Sequence, residues 1–117
     1  MSGALFALLY GFGAWLASGV FVWLGYKLPW RTAQVAVHAG AVILCFYPAL
    51  RAYFARPDAV GPTAAAGLIV AMIVALDITV VAPCFAGGSR AFFRSFWDWQ
   101  LPAIVLIATI FLAARGR

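Results

Sequence analysis

Apolar residues form four long runs along the chain, and short stretches containing proline, glycine or charged residues separate them. The runs cover residues 4–26, 32–53, 62–85 and 97–114. A helix needs about 20 apolar residues to cross the roughly 30 Å hydrocarbon core of a bilayer, and each run is close to that length. Backbone groups in lipid must be paired within their own segment, and no strand-like alternation is visible. The pattern therefore predicts four transmembrane helices.

The connections between the first three runs are short and contain helix breakers. "KLPWR" includes Pro29, and "RAYFARPDAVGP" includes Gly61 and Pro62. Short connections favour antiparallel packing of consecutive helices. We expect an all-α integral membrane protein, in which an up-down four-helix bundle forms a single transmembrane domain over residues 1–117.

The stretch before the fourth run, "AGGSRAFFRSFWDWQLP", is amphipathic rather than uniformly apolar. At helical spacing, Arg90, Arg94 and Asp98 share one face. The opposite face is aromatic and contains Phe92, Phe93, Phe96 and Trp99. The pattern predicts a short interfacial helix at about residues 89–97, leading into the fourth span. The alternative is that this stretch extends the fourth helix into water.

Aromatic residues near the ends of the predicted helices are expected to anchor in the headgroup region. They are Trp23, Tyr26, Trp30, Phe92, Phe93, Phe96, Trp97 and Trp99. Trp15 lies inside the first run instead, where its indole N–H needs a hydrogen-bond partner.

Composition supports a membrane location. Apolar residues make up 67% of the chain and charged residues 9%, whereas a soluble domain carries about 25% charged residues. The net charge of +5 comes from scattered basic residues, which suit phospholipid headgroups better than nucleic acid. We expect a multi-pass protein in contact with the lipid bilayer, in the bacterial inner membrane as a working assumption.

Basic residues divide equally between the two predicted ends of the bundle. They are Arg51, Arg56, Arg115 and Arg117 at one end and Lys27, Arg31, Arg90 and Arg94 at the other. The positive-inside rule therefore assigns no orientation, and an antiparallel, dual-topology dimer is one alternative. The chain is similar to the small multidrug transporters and the fluoride channels in length and helix count alone. It has no glutamate in its first run and no asparagine for a pore.

Polar residues gather toward one end of the predicted bundle. From the rise of ~1.5 Å per residue, Asp77 and His38 lie at a similar depth, roughly 9 Å below the surface opposite the termini. Gln34 is one turn above His38. With Arg90, Arg94 and Asp98, these residues predict a one-sided polar cup. His38 is the first predicted partner of Asp77, with Arg90 or Arg94 as the second.

An acid in a membrane helix demands an explanation, because it costs about 2.5–3.5 kcal/mol at the bilayer centre. One hypothesis is that Asp77 and His38 bind a proton, a cation or a polar headgroup. The other is a structural clasp between helices, although such contacts average only about 0.6 kcal/mol. Pro83 leaves the Thr79 carbonyl without its helical donor, so we also expect a kink or a water site close to Asp77.

No catalytic, metal or cofactor motif stands out. The chain has one histidine, two cysteines far apart along the predicted helices, and no phosphate-binding or nucleophile motif. We expect neither an enzyme nor a metal site, and no cofactor. Axial ligation of haem or a pigment by His38 is a minor alternative.

Small residues at four-residue spacing let helices approach closely in lipid. They form the predicted packing stripes Gly67, Ala71 and Ala75; Gly13 and Ala17; and Ala36 and Gly40.

Two functions are compatible with these features. The first is an accessory or scaffold subunit that associates with other membrane subunits or with itself. The alternative is a small oligomeric transporter or channel, in which Asp77 and His38 form a proton or cation site.

Overall fold

The structure, a computed structural model, describes residues 2–81 and 99–115. All regular elements in these ranges are helical: α1 is Gly3–Gly25, α2 is Arg31–Phe54, α3 is Pro62–Leu76 and α4 is Leu101–Ala114. A π-helical turn, Asp77–Val81, continues α3. The predicted interfacial helix lies outside the described residues, as do the predicted site and anchor residues Arg90, Phe92, Phe93, Arg94, Phe96, Trp97 and Asp98.

Three helices are long and apolar enough to cross a membrane, namely Gly3–Gly25, Arg31–Phe54 and Pro62–Val81. The fourth, α4, is apolar but has only 14 residues, or about 21 Å of helix. The first three runs are thus confirmed as helices of spanning length and composition, and the fourth run is a shorter helix in the part of the chain that the structure describes.

Local sequence explains where the helices begin. Leu5 N donates to the Ser2 hydroxyl at 3.2 Å, which caps α1, and Pro62 occupies the first turn of α3, where a missing N–H costs nothing. The third helix was expected to run as one element to residue 85. It changes instead from α to π geometry at Asp77, where the Thr79 hydroxyl donates to the Ala75 carbonyl at 2.8 Å.

The helices do not pack in chain order. Helix α1 packs against α2 and α3, and α4 packs against α2 and α3, so the order around the bundle is α1, α2, α4, α3. The expectation that the second and third helices are neighbours is wrong, because the connection 55–61 crosses the bundle diagonally. Buried Tyr53 stabilises that crossing: its hydroxyl donates to the Gly3 carbonyl at 2.7 Å and accepts from Val60 N at 2.9 Å.

The apolar core fills one half of the bundle, at the end where Gly3, the connection 55–61 and Ala113 meet, called here the terminal end. Its largest fully buried side chains are Phe46, Leu50, Tyr53, Ile69 and Ile110. The other half, at the α1–α2 connection, is called the turn end.

Helix α1 fits against its neighbours through small residues: Ala7, Gly11, Ala14, Ser18 and Gly25 are buried. A Cβ on Gly11 would lie 3.2 Å from Ile69 and Met72 of α3, and a Cβ on Gly25 would lie 2.6 Å from Val37 of α2. These glycines let three helices approach closely.

The predicted packing stripes are not the ones that pack within the chain. Gly67, Ala71 and Ala75 are exposed, as are Gly13, Ala17 and Ala36, and a Cβ on Gly40 would meet open space. Ala65 and Ile69 of α3 and Asp77 of the π-helical turn are buried instead. Each of these positions is two residues from a position of the predicted stripe, which corresponds to about 200° around the helix.

Candidate functional site

The helices separate at the turn end around a cavity of about 930 Å³. All four helices contribute to its wall. Most of the wall is apolar, with Val42, Val70, Ile73, Val74 and Leu106 among its residues. A large apolar cavity with a few polar groups is typical of small-molecule binding sites.

Asp77 is the acidic group in the described wall of this cavity. It lies at the first position of the π-helical turn, and only 6% of its surface is exposed. Trp99 Nε1 donates to Asp77 Oδ2 at 3.1 Å, and the Trp15 side chain on α1 lies within hydrogen-bonding reach of the same carboxyl group. Three segments of the chain therefore meet at this side chain.

The structure gives this carboxyl group a different hydrogen-bond partner from the predicted one. His38 was the first predicted partner of Asp77, but α2 lies diagonally opposite α3, and the carboxyl group accepts a hydrogen bond from the Trp99 indole instead. Trp99 was a predicted interface anchor. Its indole is half-buried and faces Asp77, because the π-helical residues 99–100 place it beside the cavity.

His38 and Gln34 line the same cavity from α2, so the structure brings Asp77, His38 and Gln34 around one space. Tyr26 Oη lies 3.5 Å from His38 Nδ1, and the two rings meet edge to face. Gln34 Nε2 donates to the Leu28 carbonyl at 2.8 Å, and its side-chain oxygen accepts from Arg31 at 3.5 Å. Gln34 therefore stabilises the α1–α2 turn at the edge of the cavity.

The rim of the cavity at the turn end is basic and aromatic. Lys27 Nζ lies 3.8 Å from the centroid of the Trp23 ring. Trp23, Tyr26 and Trp30 are all exposed at this end, as expected for residues at a membrane interface.

Asp58 provides a contrast with Asp77. It is exposed on the connection 55–61, where Arg56 Nε lies 3.0 Å from Asp58 Oδ1. The hydrogen bond from Arg56 lowers the pKa of the Asp58 carboxyl group, and the same bond raises the pKa of Arg56. No Lys, Arg or His side chain among the described residues lies within ion-pair distance of Asp77. The two acids thus have opposite surroundings.

The described residues include no group of three or more His, Cys, Asp or Glu side chains placed to hold a metal ion. Comparison with known proteins gives no assignment either: no protein family, curated protein or solved structure matches the chain.

Sequence reasoning located Asp77, His38 and Gln34 but missed the two indole donors. Trp15 and Trp99 carried a signal, because a tryptophan N–H inside an apolar run needs an acceptor and the chain has few acids. The depth of Trp15 in α1 and of Asp77 in α3 would have paired them once α1 and α3 were known to run parallel.

Proposed function

We propose that the chain is a multi-pass integral membrane protein whose cavity binds a small molecule, and that this site serves transport or ligand-dependent association. The main support for this proposal is the cavity of about 930 Å³ with Asp77 in its wall. Its volume suits a drug-sized ligand, for which cavities of about 300–1,000 Å³ are usual.

Membrane insertion is supported by the outer surface of the bundle. Leu44 is 76% exposed, and Phe21, Ile104 and Leu112 are each more than half exposed. A continuous apolar exterior on helices of spanning length is expected where lipid is the solvent. We include the apolar helix α4 as a fourth span.

Adjacent residues of α4 offer a matched test. Ala103 lines the cavity, whereas Ile104 is 56% exposed and does not line it. Single cysteines at these positions, with Cys45 and Cys84 replaced by alanine, would be treated in liposomes with a charged methanethiosulfonate. We expect Ala103→Cys to react and Ile104→Cys to be protected by lipid.

Either opposite result is informative. An unreactive Ala103→Cys variant in a folded protein would argue against a cavity that polar molecules reach. A reactive Ile104→Cys variant would argue against membrane insertion of α4. Far-UV circular dichroism and a monodisperse elution profile would serve as folding controls for both variants.

A second proposal is the accessory or scaffold subunit, associated with other membrane subunits or with a second copy. It is supported by the exposed small-residue face of α3, formed by Gly67, Ala71 and Ala75, which no helix of the described chain covers. The mass of the particle purified in mild detergent tests this proposal, and Ala71→Leu is the variant expected to dissociate an assembly built on that face. A monomer with no other chain would contradict it.

A further inference from the structure

The cavity wall carries the carboxyl group of Asp77, and no Lys, Arg or His side chain of residues 2–81 and 99–115 lies within ion-pair distance of it. Asp77 is buried, Trp99 Nε1 donates a hydrogen bond to it, and the Trp15 side chain lies near the same carboxyl group. Neutral donors orient a carboxylate and reduce the cost of its burial, but they do not cancel its charge. A ligand that enters this space with a positive charge would supply the missing partner.

The rest of the wall suits a hydrophobic cation. Aromatic rings of Trp15, Trp23, Tyr26, Phe46 and Trp99 line the same cavity. Aromatic faces attract organic cations, most strongly where water is excluded, and cages of such rings recognise quaternary ammonium groups. Apolar residues fill the spaces between them, so the cavity offers little to a strongly hydrated ion such as Na⁺.

Among the described residues, the basic side chains near the cavity are engaged away from Asp77. Arg31 is at the rim, where its guanidinium lies 3.5 Å from Gln34 Oε1, and Lys27 is stacked on the outer Trp23. His38 is on α2, diagonal to α3, with its ring against Tyr26. The acid and the bases therefore occupy different parts of the cavity.

We infer that the site is selective for hydrophobic organic monocations, which place their charge beside Asp77 and their apolar groups against the aromatic wall. This inference rests on the proposed function, since it assigns a ligand class to the same cavity. It excludes hydrophobic anions of the same shape, because the carboxylate would repel them.

Two probes of nearly identical shape and opposite charge test it: tetraphenylphosphonium and tetraphenylborate. Binding of each to the full chain in mild detergent would be measured by equilibrium dialysis against protein-free micelles, which corrects for partition of the probes into detergent. The wild-type protein is expected to bind the phosphonium at least about tenfold more tightly than the borate, as one uncompensated charge contact would give.

Substitutions at the two acids then test whether the bound cation contacts Asp77. Asp77→Asn keeps the shape and the acceptor for Trp99 but removes the charge, and we expect about tenfold weaker phosphonium binding. Asp58→Asn is the matched control, because this acid is exposed at the other end of the bundle and should leave binding unchanged. Asp77→Glu restores the charge and should recover part of the affinity.

The outcomes distinguish the ligand class from the existence of a binding site. Equal binding of both probes, or phosphonium binding that Asp77→Asn does not weaken, overturns the cation class and leaves the cavity as a binding site. Binding of neither probe to the folded wild-type protein overturns both. Because the comparison of the two probes needs no substitution, a variant that fails to fold does not prevent the decision.

Discussion

The close approach of α1 and α2 at Gly25 gives a prediction that can be worked out from one contact. A Cβ at this position would lie 2.6 Å from Val37 Cγ1 and 3.0 Å from Val37 Cβ. Valine is β-branched and keeps one strongly preferred rotamer in a helix, so Val37 cannot turn away cheaply. Gly25→Ala must therefore push the two helices apart locally.

The size of the effect follows from two opposing terms. Overpacking typically costs 1–3 kcal/mol, whereas replacing glycine by alanine within a helix gains up to about 1 kcal/mol. We expect Gly25→Ala to lower the free energy of unfolding by about 1–2 kcal/mol. Gly13→Ala is the control on the same helix, because a Cβ there would meet nothing within 4 Å, and it should leave stability unchanged or slightly raised.

The assay is unfolding by sodium dodecyl sulfate in mixed micelles, followed by tryptophan fluorescence and circular dichroism. A double-mutant cycle adds Val37→Ala, which removes the clashing methyl groups, and should show a favourable coupling of about 1 kcal/mol between the two substitutions. The reasoning is refuted if Gly25→Ala is as stable as Gly13→Ala, or if Val37→Ala gives no relief.

Three further predictions concern the hydrogen bonds at both ends. Tyr53→Phe should lower stability by about 1–3 kcal/mol in the same assay, because Gly3 and Val60 lose their buried partner; Tyr47→Phe, at an exposed position, should not. Trp99→Phe removes the donor to Asp77 and should lower stability by about 1–3 kcal/mol. Because Arg56 lowers the pKa of Asp58, this ion pair contributes a small amount to stability above the ordinary carboxyl pKa of about 4, and the contribution is lost as pH falls. Asp58→Asn should remove this part of the acid dependence of stability, measured between pH ~3 and ~6. An unchanged pH profile would contradict the prediction.

The extent of the helices could be predicted from the sequence because a helix that crosses lipid needs a run of about 20 apolar residues. Runs of apolar residues ended by Pro29, Gly61 and Pro62 mark α1, α2 and the start of α3 to within a residue or two. The π-helical turn Asp77–Val81 was not predicted: the expectation near Asp77 was a kink or a water site caused by Pro83, which lies outside the described residues.

The order of the helices could not be predicted from connection length. A seven-residue connection, 55–61, allows either a neighbouring or a diagonal position. The choice depends on Tyr53, whose hydroxyl hydrogen-bonds both Gly3 and Val60. Gly3 is far from Tyr53 in the sequence, and Val60 lies across the connection. That error also produced the wrong partner for Asp77, since His38 was placed on an adjacent helix.

The predicted packing stripes lie on faces that the described helices leave uncovered, for a related reason. Small residues occur on both faces of α1, so spacing by four could select Gly13 and Ala17 as readily as the buried Ala7 and Gly11. A seven-residue repeat of small residues, Ala4, Gly11, Ser18 and Gly25, marked the buried side, but a single chain gives no reason to prefer it before its neighbours are known.

The central claim, that the cavity beside Asp77 is the ligand site, is tested most directly by filling it. Ala103→Trp would place a large ring in the cavity, and Ile104→Trp would place the same ring on the outer face of α4. Tetraphenylphosphonium binding should be lost in the folded Ala103→Trp variant and retained in Ile104→Trp. Binding that persists in Ala103→Trp at the wild-type affinity would contradict the account.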